Sequence, residues 1–244
     1  MDKTWVKRIS GRHEKIRMYC FPHAGAGAYV YSDWKNFISD EIGVYAVKLP
    51  GREKRIREPL IDNAAEVCAE FIRSIQDDLD VPYVLFGHSM GGILVYETLR
   101  QLGKQKLPLP KEIIMSATSL MGFRNIPDIS GYNDDQLADY LYEMGGTDKT
   151  LLSNDGFREC FFPIIRNDYK LVREYSAGNL QISVPVLALS GTKDPYVERE
   201  KLLNLKEFAP KFKLVDIEGG HFFIEDKKKI CSVLNQAILE DISW

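Results

Sequence analysis

Residues 83–92 read Tyr-Val-Leu-Phe-Gly-His-Ser-Met-Gly-Gly, and no other stretch restricts the possible folds so sharply. Strand formers run into Gly87-His88-Ser89-Met90-Gly91, and Ile93 to Leu99 leave it with helix-compatible spacing. Gly-x-Ser-x-Gly between a strand and a helix is the pattern of a nucleophile elbow. A serine held on so sharp a turn needs neighbours without Cβ atoms, or strand and helix cannot approach each other. The turn would lift Ser89 Oγ clear of the sheet. It would stand beside the helix N-terminus and the Met90 N–H, whose partial positive charge suits a developing oxyanion.

The length of 244 residues fits one domain with an insertion, and no repeat, low-complexity tract or linker divides it, so residues 1–244 read as a single domain. A net charge of −3 gives no electrostatic basis for binding nucleic acid or an anionic membrane. No apolar run approaches the ~20 residues of a membrane span. The charged segment Met1 to Arg8 lacks the apolar core of a signal peptide, so a cytoplasmic location is expected. Cys20, Cys68, Cys160 and Cys231 form no Cys-x-x-Cys pair and show no zinc-ligand spacing, so most are expected to be buried thiols and no metal site is expected.

Along the chain, residues 1–15 read as a polar arm or edge segment, and Ile16 to Phe21 as the first interior strand. The loop Pro22-His23-Ala24-Gly25-Ala26-Gly27-Ala28 follows, then a helix over about 31–38. This loop lacks the Gly-Lys-Ser/Thr of a phosphate-binding P-loop. With an elbow elsewhere in the chain, one of its backbone N–H groups can complete an oxyanion hole with Met90. Ala24 is the first choice and Gly25 the next. A strand over 43–49 ends in Pro50-Gly51-Arg52, and the charges of 53–58 read as a solvated loop. Helical spacing over 63–79 leads into the elbow strand, and 112–117 reads as the next buried strand.

From 118 to 177 the strand–helix alternation stops. Asn133 or Asp134 can cap a helix through Tyr142 that Gly145-Gly146 ends, with further helices over 156–165 and 168–175. This aromatic-rich segment reads as a helical lid inserted over the serine. Strands over 184–190 and 212–217 then alternate with helices over about 198–208 and 226–239. The pattern is that of an α/β fold, a mostly parallel sheet covered by helices.

Catalytic groups of such sheets gather at the carboxyl ends of strands. Ser89, Asp194 and His221 each follow a strand end, in the order Ser, Asp, His found in α/β-hydrolases. His221 would take the serine proton and return it to the leaving group, while Asp194 fixes the imidazole tautomer. The other histidines fit this role less well. His13 lies in a charged terminal segment, His23 in the small-residue loop, and His88 beside the serine with its side chain leaving in another direction. Asp216 falls inside a strand and Asp128 opens the insertion, which favours Asp194. His23, Gly25, His88 and Phe222 surround this constellation as expected substrate contacts.

Phe21-Pro22-His23-Ala24-Gly25, Pro50-Gly51-Arg52, Gly87 to Gly92, Arg166-Asn167-Asp168-Tyr169 and Gly219-Gly220-His221-Phe222-Phe223 occur in that order over nearly the whole chain. Together they resemble the type II (external) thioesterases that accompany nonribosomal peptide and polyketide synthases. The resemblance implies an α/β-hydrolase with Ser89, Asp194 and His221 as triad, and Ala24 and Met90 as oxyanion donors. It implies hydrolysis of misprimed or stalled acyl groups from the phosphopantetheine thiol of carrier proteins, without a cofactor of its own, by a monomer. Related proteins release medium-chain fatty acids from fatty acid synthase. A general carboxylesterase and a non-enzymatic carrier-binding module are the rival readings. Carrier proteins are acidic, so exposed cations of the insertion, Arg166 and Lys170, are the expected docking contacts. Gly25-Ala26-Gly27 departs from the consecutive glycines frequent in the family, which bears on acyl length.

Overall fold

The computed structural model describes residues 4–120 and 126–239. Residues 121–125 of the expected insertion, and both ends of the chain, lie outside the described residues. Among the described residues seven strands form one sheet: β1 (Val6–Arg8), β2 (Ile16–Phe21), β3 (Ile42–Val47), β4 (Tyr83–His88), β5 (Ile113–Ser116), β6 (Val186–Gly191) and β7 (Phe212–Ile217). Their spatial order is β1-β3-β2-β4-β5-β6-β7. Only the β1–β3 pair is antiparallel. The expected mostly parallel sheet is therefore present, and the polar N-terminal segment supplies its antiparallel edge, anchored by buried Trp5 and Val6.

The near-continuous apolar character of β2 and β4 follows from burial on both faces. Tyr19, Phe21, Tyr83 and Leu85 point into one core layer with helices α1 (Ala64–Ile75) and α2 (Met90–Gln105). Met18, Cys20, Val84 and Phe86 point into the other, where Tyr31, Trp34 and the last helix close the opposite face. The period-2 alternation of the strands thus separates two cores across one sheet. Residues 28–36 form a 3-10 helix instead of the expected α-helix.

Between β5 and β6 lie α3 (Asp134–Met144), α4 (Lys149–Leu152) and α5 (Asp155–Glu174), and after β6 come α6 (Arg199–Leu203) and α7 (Lys227–Leu239). Asn133 closes a capping box with Gln136 at the start of α3, and Gly145 ends it at φ 80°. α5 is one 20-residue helix where the spacing suggested two. It runs through Pro163 because that residue and Glu159, whose carbonyl loses its partner, both face solvent. Leu137, Leu141, Phe162 and Ile165 give the insertion its own small core.

Of the charges of 53–58, Glu53, Lys54 and Arg57 are exposed as expected of a solvated loop, and Arg55 is the departure. Arg55 is buried, its guanidinium 4.2 Å from the Trp5 ring centroid, with Glu58 accepting from Nε at 2.8 Å. Cys20, Cys68 and Cys231 are buried free thiols, whereas Cys160 is exposed. Among the described residues no helix is long and apolar enough to cross a membrane.

Candidate active site

Ser89 sits at φ 54°, ψ −119° between β4 and α2, a conformation that L-residues adopt only under constraint. The constraint is local. A Cβ on Gly87 would come within 2.1 Å of the Gly91 carbonyl oxygen, and one on Gly91 within 2.2 Å of the Phe21 carbonyl oxygen. Helix α2 can therefore start directly against β2 and β4 only with glycine at both positions. Ser89 N–H donates to the Ser116 carbonyl at 2.8 Å, and the Thr118 hydroxyl donates to the Ser89 carbonyl. These bonds tie the turn to the end of β5.

His221 and Asp194 reach the serine from the ends of β7 and β6. Their loops are stitched together by Thr192 N–H to the Ile217 carbonyl (2.9 Å) and Lys193 N–H to the Gly219 carbonyl (2.8 Å). His221 Nδ1 lies 2.8 Å from Asp194 Oδ2, and Nε2 lies 3.0 Å from Ser89 Oγ. A carboxylate only accepts, so Nδ1 carries the proton and Nε2 offers its lone pair to the serine hydroxyl. The other carboxylate oxygen accepts from Tyr196 N–H (2.8 Å) and Val197 N–H (3.2 Å). With both oxygens engaged, Asp194 cannot rotate away from the ring. The geometry suits proton transfer from a serine nucleophile.

Met90 opens α2, where the first amide N–H groups lack intrahelical acceptors. In the small-residue loop, Gly25 N–H donates to Asp168 Oδ2 at 2.8 Å and Ala26 N–H to the His23 carbonyl at 3.1 Å. Gly25 is thus taken as a donor. Ala24, the first choice from the sequence, borders the same small cavity as Ser89 and His221.

That cavity, about 30 Å³, shares His23, Ala24, Met144, Tyr169 and Phe222 as lining with a larger neighbouring one of about 480 Å³. The larger cavity is roofed by lid residues including Leu141, Leu151, Phe157 and Phe161, and its size is ordinary for a small-molecule site. Gly25 and Phe222 line it. The Phe222 ring stands nearly perpendicular to His23 (5.4 Å) and His221 (5.3 Å). His23 directs Nδ1 to the Ala24 carbonyl at 3.1 Å. Burial pushes its pKa down to about 4, so it is a neutral ring at pH 7.

His88 does not line either cavity, which corrects its reading as a substrate contact. The period of β4 turns it inward, where it is fully buried with Nδ1 2.9 Å from the Ser116 hydroxyl. Its ring packs 5.5 Å from His221 and 5.3 Å from Phe223. Burial, followed by the neighbouring histidines, holds it well below the ordinary histidine range. It is a neutral wall behind the base.

Sequence reasoning missed Tyr169 and Met144, which are joined by a Tyr169 hydroxyl–Met144 Sδ contact of 2.8 Å and border both cavities. In the motif Arg166-Asn167-Asp168-Tyr169 only Arg166 carries an expected role, as a docking contact. Arg166 and Lys170 already have partners within the chain, Asp134 at 2.9 Å and Asp62 at 2.5 Å. Among the described residues no group of three or more His, Cys, Asp or Glu could hold a metal ion.

The Thioesterase family model, described as a thioesterase domain, matches residues 16–238. Phenyloxazoline synthase MbtB of Mycobacterium tuberculosis is 29% identical over 228 residues, 92% of this chain, which spans only 16% of that protein's length. The medium-chain S-acyl fatty acid synthase thioesterase of Homo sapiens is 28% identical over 218 residues, 86% of this chain and 82% of the relative. Among solved structures, ClbQ from the colibactin nonribosomal peptide/polyketide synthase pathway superposes with a TM-score of 0.83 at 25% identity, covering 91% of this chain and 96% of ClbQ. The α/β-hydrolase fold follows from these matches and the observed sheet.

Proposed function

This chain belongs to the thioesterase domain family, and from that premise we propose that it is a type II thioesterase clearing acyl groups from carrier proteins of a nonribosomal peptide or polyketide synthase. The observation carrying this reading is the hydrogen-bonded series Asp194–His221–Ser89 bordering a small cavity that shares five lining residues with the apolar cavity beneath the lid. Ser89 Oγ attacks the thioester carbonyl carbon as its proton passes to His221 Nε2. The oxyanion is held by the N–H groups of Ala24 and Met90. Collapse breaks the C–S bond, and His221 returns the proton to the phosphopantetheine sulfur. Water then attacks the Ser89 ester with His221 as base, releasing the carboxylic acid and restoring the hydroxyl. A thiolate is a good leaving group, so this chemistry uses no cofactor of the enzyme's own.

The carrier protein docks on the lid side, where Arg166, Lys170 and Arg173 border a third cavity, of about 310 Å³. The Lys170–Asp62 pair is half exposed. Water screens such an exposed pair, so an acidic partner can displace Asp62 at little cost. Lys170→Glu is expected to lower carrier-thioester turnover and leave acyl-CoA turnover unchanged.

The deciding experiment compares hydrolysis of acetyl- and longer acyl-phosphopantetheinyl carrier protein, the matched acyl-CoA and a p-nitrophenyl ester by wild type and Ser89→Ala. Faster carrier turnover that the variant loses supports the proposal. Preference for the simple ester overturns it in favour of a general esterase. Turnover confined to medium-chain acyl groups favours the fatty-acid release named for the human relative.

A further inference from the structure

Two charges outside the triad are buried together where nothing in the triad requires them. The Arg52 side chain is 5% exposed and that of Asp168 is 1% exposed. Arg52 comes from the loop after β3, and Asp168 from the middle of lid helix α5. Arg52 Nη1 donates to Asp168 Oδ2 at 2.6 Å and Nη2 to Oδ1 at 2.8 Å, a fork-to-fork pair. Taking two charges out of water is costly, and an apolar pair of similar volume fills such a space as well or better. Stability alone therefore does not account for this choice of residues.

Arg52 Nε also donates to the Pro50 carbonyl and Asn167 Nδ2 to Asp168 Oδ1, each at 3.4 Å, while the two shorter remaining bonds of the pair converge on one loop. Asp168 Oδ2 also accepts from Gly25 N–H at 2.8 Å, and Arg52 Nη1 also donates to the Ala26 carbonyl at 2.9 Å. One member thus grips a donor and the other an acceptor of the loop that carries Ala24. That loop is pressed against α5 as well. Gly25 sits at φ 77°, and a Cβ there would come within 2.8 Å of Ile165 Cγ1. The Ala24 and Gly25 amides are consecutive, so whatever fixes the Gly25 N–H also limits where the Ala24 N–H points.

We propose that Arg52 and Asp168 are positioning residues that hold the Ala24 N–H in the oxyanion hole, so that the hole is complete only while lid helix α5 is seated on the loop. The inference rests on the serine mechanism proposed above. It makes α5 a support of the reaction centre as well as a roof over the acyl chamber. A misplacement of about 1 Å at such a donor lowers turnover roughly a hundredfold.

The test uses the full chain with Asp168→Asn, Arg52→Lys and the double variant, all read against wild type and Ser89→Ala. The substitutions keep volume or charge while weakening the fork. Three quantities are measured: kcat and KM for an acyl-carrier thioester, Ki for an alkyl trifluoromethyl ketone that forms a hemiketal with the serine, and Kd for the unreactive acyl thioether. The expected result is kcat lower by roughly ten- to a hundredfold with KM and thioether Kd within about twofold. The trifluoromethyl ketone Ki rises in step with the loss of kcat/KM, and the double variant is no worse than the poorer single one. A thioether affinity that falls along with kcat, or a ketone Ki that stays put, would overturn the inference and leave the pair a structural one. If Asp168→Asn does not fold, Arg52→Lys alone carries the same comparison. Absence of Ser89-dependent hydrolysis in the wild type would instead defeat the serine mechanism, a separate outcome.

Discussion

Asp194 Oδ2 lies 2.8 Å from His221 Nδ1, and both side chains are closed to solvent. The carboxylate fixes the proton on Nδ1, which leaves Nε2 free to accept from Ser89. An amide in its place can instead donate to Nδ1 and present a protonated Nε2 to the serine, the wrong tautomer. Asp194→Asn is therefore expected to lower kcat by roughly 10³- to 10⁴-fold with KM within about threefold. Steady-state hydrolysis of an acyl thioester measures both. A loss of less than tenfold would remove Asp194 from the mechanism.

The glycines of the elbow and of α2 make opposite predictions. Gly91→Ala places a methyl group 2.2 Å from a backbone oxygen that cannot retreat, and is expected to destabilise the fold by more than about 2 kcal/mol. Gly103, in the same helix, has no atom within 4 Å of where its Cβ would be. Gly103→Ala should stabilise the fold by about 0.5–1 kcal/mol through helix propensity alone. Thermal unfolding of the two variants checks both signs.

What was legible in the sequence is what short-range physics determines. Gly87-x-Ser89-x-Gly91 requires its turn, the period of β2 and β4 sorts their side chains between two layers, and Asn133 with Gln136 marks the start of α3. What was not legible depends on partners distant in the chain. Arg52 looks like the first of a run of surface charges until Asp168, 116 residues later, is placed against it. Arg55 is drawn under Trp5 by a strand pairing that a three-residue edge does not advertise. α5 runs through Pro163 because the face on which the hydrogen bond is lost happens to be wet. His88 was placed wrongly as a contact because adjacency to Ser89 in sequence says little about direction in a strand.

The cavity under the lid implies a chain-length dependence. Each methylene moved from water into an apolar wall contributes about 0.8 kcal/mol, close to a fourfold gain in kcat/KM. The gain should stop when the chain fills the cavity, whose lid-side lining includes Leu151 and Phe157. Leu151 is 50% exposed, so a larger ring there does not disturb the core. Leu151→Trp is expected to cut turnover of longer acyl thioesters at least tenfold while leaving acetyl turnover within about twofold. A chain-length series on both proteins measures this. Equal losses at every length would place the acyl chain elsewhere.

Glu112, just before β5, has its Oε2 buried without a hydrogen-bond partner among the described residues, and burial pushes the carboxyl up from 4.5 to about 7. The folded state therefore holds this proton more tightly than the unfolded state does. The resulting stability is fully present below pH 4.5, declines as pH rises, and is gone above about 7, where the buried carboxylate is charged. The full swing is on the order of 3 kcal/mol. Glu112→Gln keeps the shape and removes the titration. Its Tm should match that of wild type near pH 4.5 and exceed it by several degrees at pH 8, the difference opening between those limits. Parallel Tm–pH curves for the two proteins would show that the carboxyl is already hydrated, or ionised at no cost, in the folded state.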